Sequence, residues 1–490
     1  MASSSDPQDR AADLATITGS RNQQTGETMS NLENALLEAD RNLQAATAKL
    51  FDLIAIPSVS SDPEGKPGIE QAARWLCDEL SGLGFDARVV ETEGHPLVLA
   101  HSTDDPQAGR PKLLFYGHYD VQPVGTLEDW RHRPFEPKII EEDGVRRFYG
   151  RGASDSKSQL WTFIEGLRAW KSVHGGFAGK VTILLEGEEE SGSHSLPAFL
   201  EAHRDELACD IAFICDSDMW SPTQPALSLR LKGLLHEKVT IFAPNRDLHS
   251  GYFGAVAANP IRILGSILAG IHDEAGRVTI EGFYDGVKEI SQTLRAQWRT
   301  LSDETDLFDK VDLTGGTIEH GYSPLEAIWG RPTIDFNGVT SGNQGPGERS
   351  VIPGSATARL SFRLVEGQAP EHVRQTFQRH VRSRLPEGCT VEFEGFPGSS
   401  AVTLPEDNPF VKATARGLAR EWESPTVLKG SGGSIPLAQE FKDMLGIDCI
   451  VIGFILPDDA IHAPDERYDI ERFHKGVRSW IRILDEIRRA

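Results

Sequence analysis

Basic residues are short in this chain: 50 Lys and Arg stand against 73 Asp and Glu in 490 residues, a formal net charge of −23. Nucleic acid and anionic membrane surfaces both need a basic footprint, so neither is expected as a partner. Cysteine is also sparse. Cys77, Cys209, Cys215, Cys389 and Cys449 are scattered, odd in number and free of C-x-x-C spacing. Three of them lie in or beside apolar runs, which predicts buried reduced thiols and a reducing, cytoplasmic setting. The longest apolar run, residues 447–456, is too short to span a bilayer. The opening MASSSDPQDRAADL has neither a basic nor an apolar region, so no signal peptide is expected.

What is present fits a soluble globular chain, 39% hydrophobic and 25% charged, and long enough for two domains. Residues 1–30, rich in Ser, Gln, Asn, Thr and Asp, read as a loose tail. Helical spacing of apolar residues predicts helices over about 32–54, 68–83 and 158–170. Strand-like runs at 87–91, 97–101, 112–116, 181–185 and 211–215 alternate with them. Together they predict an α/β catalytic domain with a largely parallel central sheet flanked by helices. Near residue 228 the texture changes to half-polar strands (235–242, 356–365) and two helices, and near 399 the α/β pattern returns. The expected organisation is therefore 31–227 plus 399–490, interrupted by a smaller α+β lid at 228–398. The stretch 279–332 is polar and irregular and gives no clear elements.

Chemistry gathers at strand ends. The buried-type run Val181–Leu185 breaks into Glu186, Gly187 and three successive carboxylates, Glu188, Glu189 and Glu190. Such a cluster is costly when buried unless a cation neutralises it, although alone it reads more readily as a solvated loop than as a site. His118, Asp218 and His462 likewise follow strand-like runs within seven residues. In an open α/β sheet that rim is where ligands bind. Asp155 stands just before a helix and, taken singly, caps it as well as it ligates. Two imidazoles and three carboxylates suit zinc, and also manganese or cobalt; five ligands exceed one catalytic zinc and point to two metals with a bridging carboxylate.

The segments GHYDVQP (117–123), YGRGASDSKS (149–158), LEGEEESGS (185–193), SDMW (217–220), LHSGYFG (248–254), GSGGSIP (430–436) and HAPDE (462–466) resemble, in order, the motifs of the carnosinase and acetylornithine deacetylase family. The resemblance spans nearly the whole chain. It implies a dinuclear zinc exopeptidase or deacylase, a catalytic domain interrupted by a lid, and a homodimer formed through that lid. It makes His118, Asp155 and Asp218 ligands of one metal, and Asp155, Glu190 and His462 ligands of the other. Asp216 competes for the place of Asp218, which the following Met-Trp favours. Glu189 matches the general base, Asp120 the acid that orients His118, and Glu188 is left as a solvated spectator. His249 matches a histidine that reaches the site from the partner subunit.

For substrate, the resemblance assigns Arg363 to a free carboxylate, with Asn337, Gly433 and Ser434 as further contacts. The expected reaction is hydrolysis of an amide in dipeptides or short peptides. Ser431 stands where dipeptidases of the carnosinase type usually have a glutamate for the substrate ammonium, which keeps N-acyl-amino-acid hydrolysis as an alternative. A non-catalytic metal-binding homologue is the third reading, disfavoured by Glu189 and the complete ligand set.

Overall fold

The computed structural model describes residues 30–104, 109–304, 307–433 and 436–489. The expected N-terminal tail falls almost wholly outside them, as does Ser434. Ser30 starts the first helix, Asn31–Ile54, with a capping box: its hydroxyl accepts from the Glu33 N–H while the Glu33 carboxylate accepts from the Ser30 N–H. The next helix, Lys66–Leu83, stops at Gly84, whose φ of 92° is the left-handed conformation that glycine adopts freely.

Nine strands form the main sheet. From one edge the order is Phe85–Val90, Leu97–Ser102, Lys180–Glu186, Lys112–His118, Ile211–Cys215, Cys449–Ile452, Ala226–Leu231 and Val402–Thr403, with Val427–Ser431 also pairing onto Ala226–Leu231. The central strands run parallel, as their continuous apolar runs imply. The outer pairings Phe85–Val90 with Leu97–Ser102 and Val402–Thr403 with Ala226–Leu231 are antiparallel, so the sheet as a whole is mixed. Helices Asn31–Ile54, Lys157–His174, Pro409–Trp422 and Ile470–Arg489 share a core with one face. There the buried Trp480 ring meets Phe115, Phe163 and Phe213 edge-on. The opposite face is closed by Leu196, Phe199 and Leu200 from helix Leu196–Ala202, with Ala438 and Phe441.

A second core belongs to a four-stranded antiparallel sheet, ordered Thr333–Ser341, Ser355–Leu364, Gly233–Phe242 and Thr390–Gly395. Helices Pro260–Ala269 and Pro370–Arg382 cover one side of it through Leu264, Ile267, Val373 and Phe377. Sheet and helices together form an α+β unit with its own core. Part of the chain between residues 228 and 398 behaves differently. Helices Gln292–Glu304 and Pro324–Gly330 pack Leu294, Trp298, Leu325 and Trp329 against Ala226 and Val427 of the large sheet. Buried Glu326 binds Arg295 at 2.7 Å and Arg299 at 3.3 Å, which locks the two helices together. The irregular stretch thus holds a two-helix wall against the catalytic sheet's edge.

Candidate metal centre

The strand Lys112–His118 ends by carrying His118, fully buried, to the rim of the sheet. Its Nδ1 lies 3.2 Å from the Asp120 carbonyl oxygen and 3.3 Å from the Asp120 carboxylate. Both are acceptors, so Nδ1 carries a proton, and Nε2 is the atom turned to the neighbouring carboxylates that a metal ion would take. Nε2 is 3.2 Å from Asp155 Oδ1 and 3.9 Å from Asp216 Oδ2. The other Asp155 oxygen lies 3.0 Å from His462 Nε2, which is also 3.3 Å from Glu190 Oε2. Two groups of ligand type therefore form, His118 with Asp155 and Asp216, and Asp155 with Glu190 and His462. Asp155 belongs to both, one oxygen turned to each.

One sequence expectation is corrected here. The carboxylate brought beside His118 is that of Asp216, not Asp218. Strand Ile211–Cys215 ends directly before Asp216, so Asp216 is the first side chain past the strand. Asp218 instead pairs with the buried Lys429 ammonium. Glu188 differs too. It is buried, and its carboxylate accepts the Ser195 N–H at 3.1 Å at the start of helix Leu196–Ala202. It is a cap, not a solvated spectator.

Asp120 does more than face His118. Its two oxygens accept the N–H groups of Glu189 (3.2 Å) and Glu190 (3.0 Å), so one buried carboxylate sets the positions of an imidazole and of the acidic turn. Gln122 Nε2 holds Glu190 Oε2 at 2.9 Å. The other Glu190 oxygen, Oε1, is buried and has no hydrogen-bond partner. A buried lone pair left open in this way is costly, and a cation is the partner that the surrounding donor set fits.

Electrostatics agree with that fit. Burial opposes charge on His118, but hydrogen bonds to Asp120, Asp155 and Asp216 outweigh it and raise its pKa well above the ordinary value. Burial lifts Glu190 to about 7 and also raises Glu189. For Asp155, burial is outweighed by the two imidazoles, which hold its carboxyl below the usual range. Protons on His118 and His462 thus do part of the neutralising that cations do more completely.

The loops that deliver Asp155 and His462 are joined by a residue with no assigned part in the sequence motifs, Glu466. It is fully buried. Oε1 accepts the N–H groups of Ser154 (2.8 Å) and Asp155 (2.9 Å); Oε2 accepts the Gly152 N–H (2.9 Å) and Arg151 Nη1 (2.8 Å). Burial pushes its pKa up, yet both oxygens already accept two donors each, so the carboxylate is the form that fits. Asp459 adds a second tie, accepting Ser154 Oγ at 2.6 Å and Arg472 Nη2 at 2.6 Å. Between these ties Ala460, His462 and Asp465 all have positive φ, 57°, 58° and 61°. Strained non-glycine backbone of this kind persists only where the surroundings hold it.

Neither His249 nor the expected substrate residues Arg363, Asn337 and Gly433 are in the two ligand groups. His249 is exposed next to a short helix, its Nδ1 accepting the Gly251 N–H at 3.0 Å, and belongs to neither ligand group. Arg363 is half-buried on the lid strand Ser355–Leu364, paired with Thr333 and Leu234. Asn337 lies at an irregularity on the edge strand Thr333–Ser341. Gly433 offers its carbonyl to the Lys232 N–H at 3.1 Å, where the chain passes from the large sheet into the lid.

A mixed α/β sheet with two adjoining His/carboxylate clusters at its rim defines a metallohydrolase type of site. The model of Peptidase family M20/M25/M40 matches residues 114–486, and the chain belongs to that family. It is 30% identical over 441 residues to the cysteinylglycine-S-conjugate dipeptidase of Corynebacterium striatum, covering 87% of this chain and 92% of the relative. It is 27% identical over 462 residues to the Cys-Gly metallodipeptidase of Candida albicans, covering 88% and 92%. Among solved structures, the M20 family metallo-carboxypeptidase of Sulfolobus solfataricus superposes with a TM-score of 0.69 at 28% identity, over 91% of this chain and 99% of that one.

Proposed function

We propose that this chain hydrolyses the amide bond of dipeptides with two divalent cations, zinc or else manganese or cobalt, one held by His118, Asp155 and Asp216 and the other by Asp155, Glu190 and His462. The observation that carries the reading is the sharing of Asp155 between the two clusters, beside a buried and unpartnered Glu190 oxygen. Cations bound there supply Lewis-acid activation of a water and of the substrate carbonyl. Glu189 takes the proton of the attacking water and returns it to the leaving amine. Its N–H is fixed on Asp120 and burial raises its proton affinity, both of which suit a base. Arg363 binds the substrate carboxylate, Asn337, Gly433 and Ser434 add contacts, and the protein works in a reducing, cytoplasmic setting, in keeping with five unpaired cysteines.

The protein pairs through its lid, and His249 of the partner subunit completes the site by facing the developing oxyanion. Exposed Tyr252, Val256, Phe336 and Val339, together with the open edge strand Thr333–Ser341, support that assembly. A second reading, hydrolysis of N-acyl amino acids, draws on Ser431: its hydroxyl accepts the Gly433 N–H at 3.0 Å and offers no charge to a substrate ammonium. Turnover of Ala-Ala against N-acetyl-Ala-Ala and N-acetyl-Ala by metal-loaded protein separates the two. Faster cleavage of the free dipeptide is expected; cleavage of the acylated compounds alone overturns the dipeptidase reading.

A further inference from the structure

A cleft of about 890 Å³ is lined by Asp155 and Asp216 of the candidate metal centre. Trp220, Leu325, Ile328 and Trp329 give it an apolar wall. We propose that this cleft is the specificity pocket of the enzyme and takes a bulky uncharged side chain, aromatic by preference, from one of the two residues flanking the scissile bond. The inference rests on the dipeptidase reading and adds to it the class of substrate.

Three observations carry it. The first is continuity: one cavity is lined both by the two aspartates of the candidate metal centre and by indole rings, so a substrate held at the metals shares a single space with that apolar wall. The second is rigidity. Trp329 packs edge-on against Trp220 (centroids 5.9 Å apart) and against the buried Trp298 (5.4 Å), whose Nε1 donates to the Leu428 carbonyl at 2.7 Å. Behind them the Glu326–Arg295 pair fixes the two helices, so the wall is formed before substrate arrives. The third is charge. Among the residues that line the cleft, the Lys429 ammonium is paired with the Asp218 carboxylate, so neither is left as a free counter-charge for a charged side chain.

The glycine run at 430–433 acquires a reason from this wall. A Cβ at Gly430 would lie 2.5 Å from Trp329 Cβ, and one at Gly432 3.0 Å from Ile328 Cγ2. Only glycine lets the strand Val427–Ser431 and the turn after it close against the helix Pro324–Gly330. These glycines shape a side-chain pocket.

The test uses full-length, metal-loaded protein with Ala-Ala, Phe-Ala, Ala-Phe, Lys-Ala and Ala-Lys. One of the two Phe dipeptides is expected to exceed Ala-Ala in kcat/KM by roughly tenfold or more, with its Lys counterpart no better than Ala-Ala. Ile328→Trp fills the cleft at a lining side chain that is 42% exposed, so the larger ring has room without displacing buried neighbours. It is expected to cut the Phe-to-Ala ratio by a similar factor, with Ile328→Ala keeping or raising it. Turnover without a Phe preference, or a preference that Ile328→Trp leaves intact, overturns the pocket and leaves the dipeptidase reading standing. Metal-loaded protein that cleaves none of the five overturns both.

Discussion

Replacing Glu466 tests whether the two ligand-bearing loops are held by one buried carboxylate. In Glu466→Gln one oxygen still accepts two of the four donors, but the new NH2 faces the other two. Arg151, whose side chain is 2% exposed, loses its counter-charge. Breaking a buried ion pair from one side costs about 3–5 kcal/mol. Gln should lie near the lower end of that range and Glu466→Ala near the upper. The loss is read from the urea midpoint by tryptophan fluorescence, multiplied by the slope of the transition. Because Glu466 accepts the N–H of Asp155 itself and lies four residues beyond His462, metal content after dialysis should also fall in both variants. Adding Arg151→Met to Glu466→Gln should cost much less than the two changes summed, since the second removes a charge already stranded. A loss below about 1 kcal/mol in Glu466→Ala refutes the argument, as does full retention of metal with a large loss of stability.

Three further outcomes are expected. Asp216→Asn should lose metal and turnover, whereas Asp218→Asn should keep its metal; the reverse result would restore Asp218 as the ligand. Glu189→Gln should lose turnover by several orders of magnitude with metal retained, and Glu190→Gln should lose both; equal metal loss in the two would mean the base and the ligand are exchanged. Lys232 gives a pH dependence. Burial, opposed by Asp335 and reinforced by Arg363 and Arg331, brings its pKa down to about 7 from 10.5. Between those values the unfolded chain holds a proton that the folded chain has released. This group's contribution to stability therefore grows as pH rises across that window and is lost as pH falls through about 7. Urea midpoints at pH 7 and 9 should rise less in Lys232→Met than in the parent, and an unchanged rise removes Lys232 as its source.

Sequence was a good guide wherever one local rule governs a segment. Strands such as Lys112–His118 and Ile211–Cys215 are buried on both faces, so their apolar runs announce them. The lid strand Gly233–Phe242 alternates because only one face of its sheet is covered by helices. The choice between Asp216 and Asp218 was not legible, because both follow the same strand and the deciding partner, Lys429, comes from a distant part of the chain. Glu188 had the same difficulty: three identical residues in a row offer no local sign that the first turns inward to cap Leu196–Ala202. The stretch 279–332 was partly legible after all. Leu294, Trp298 and Leu301 follow helical spacing, and Ser323-Pro324-Leu325-Glu326 is a capping-box sequence. Its polar majority hid them, because Arg295, Arg299 and Glu326 spend their charges on one another within the wall.

The two clusters meet at Asp155, but their imidazoles, His118 and His462, lie far apart in the sequence. His118 belongs to the first parallel strand, and His462 to the loop before the last helix. An ion pair bound there acts as a staple across a very long loop of chain, one that closes through ligands instead of a covalent bond. The lid, with its own sheet and helices, hangs within that loop. Chelation should then do more than silence the enzyme: it should release the C-terminal segment first, opening a path to proteolysis near the strained turn at 460–465 while the lid's separate core stays folded.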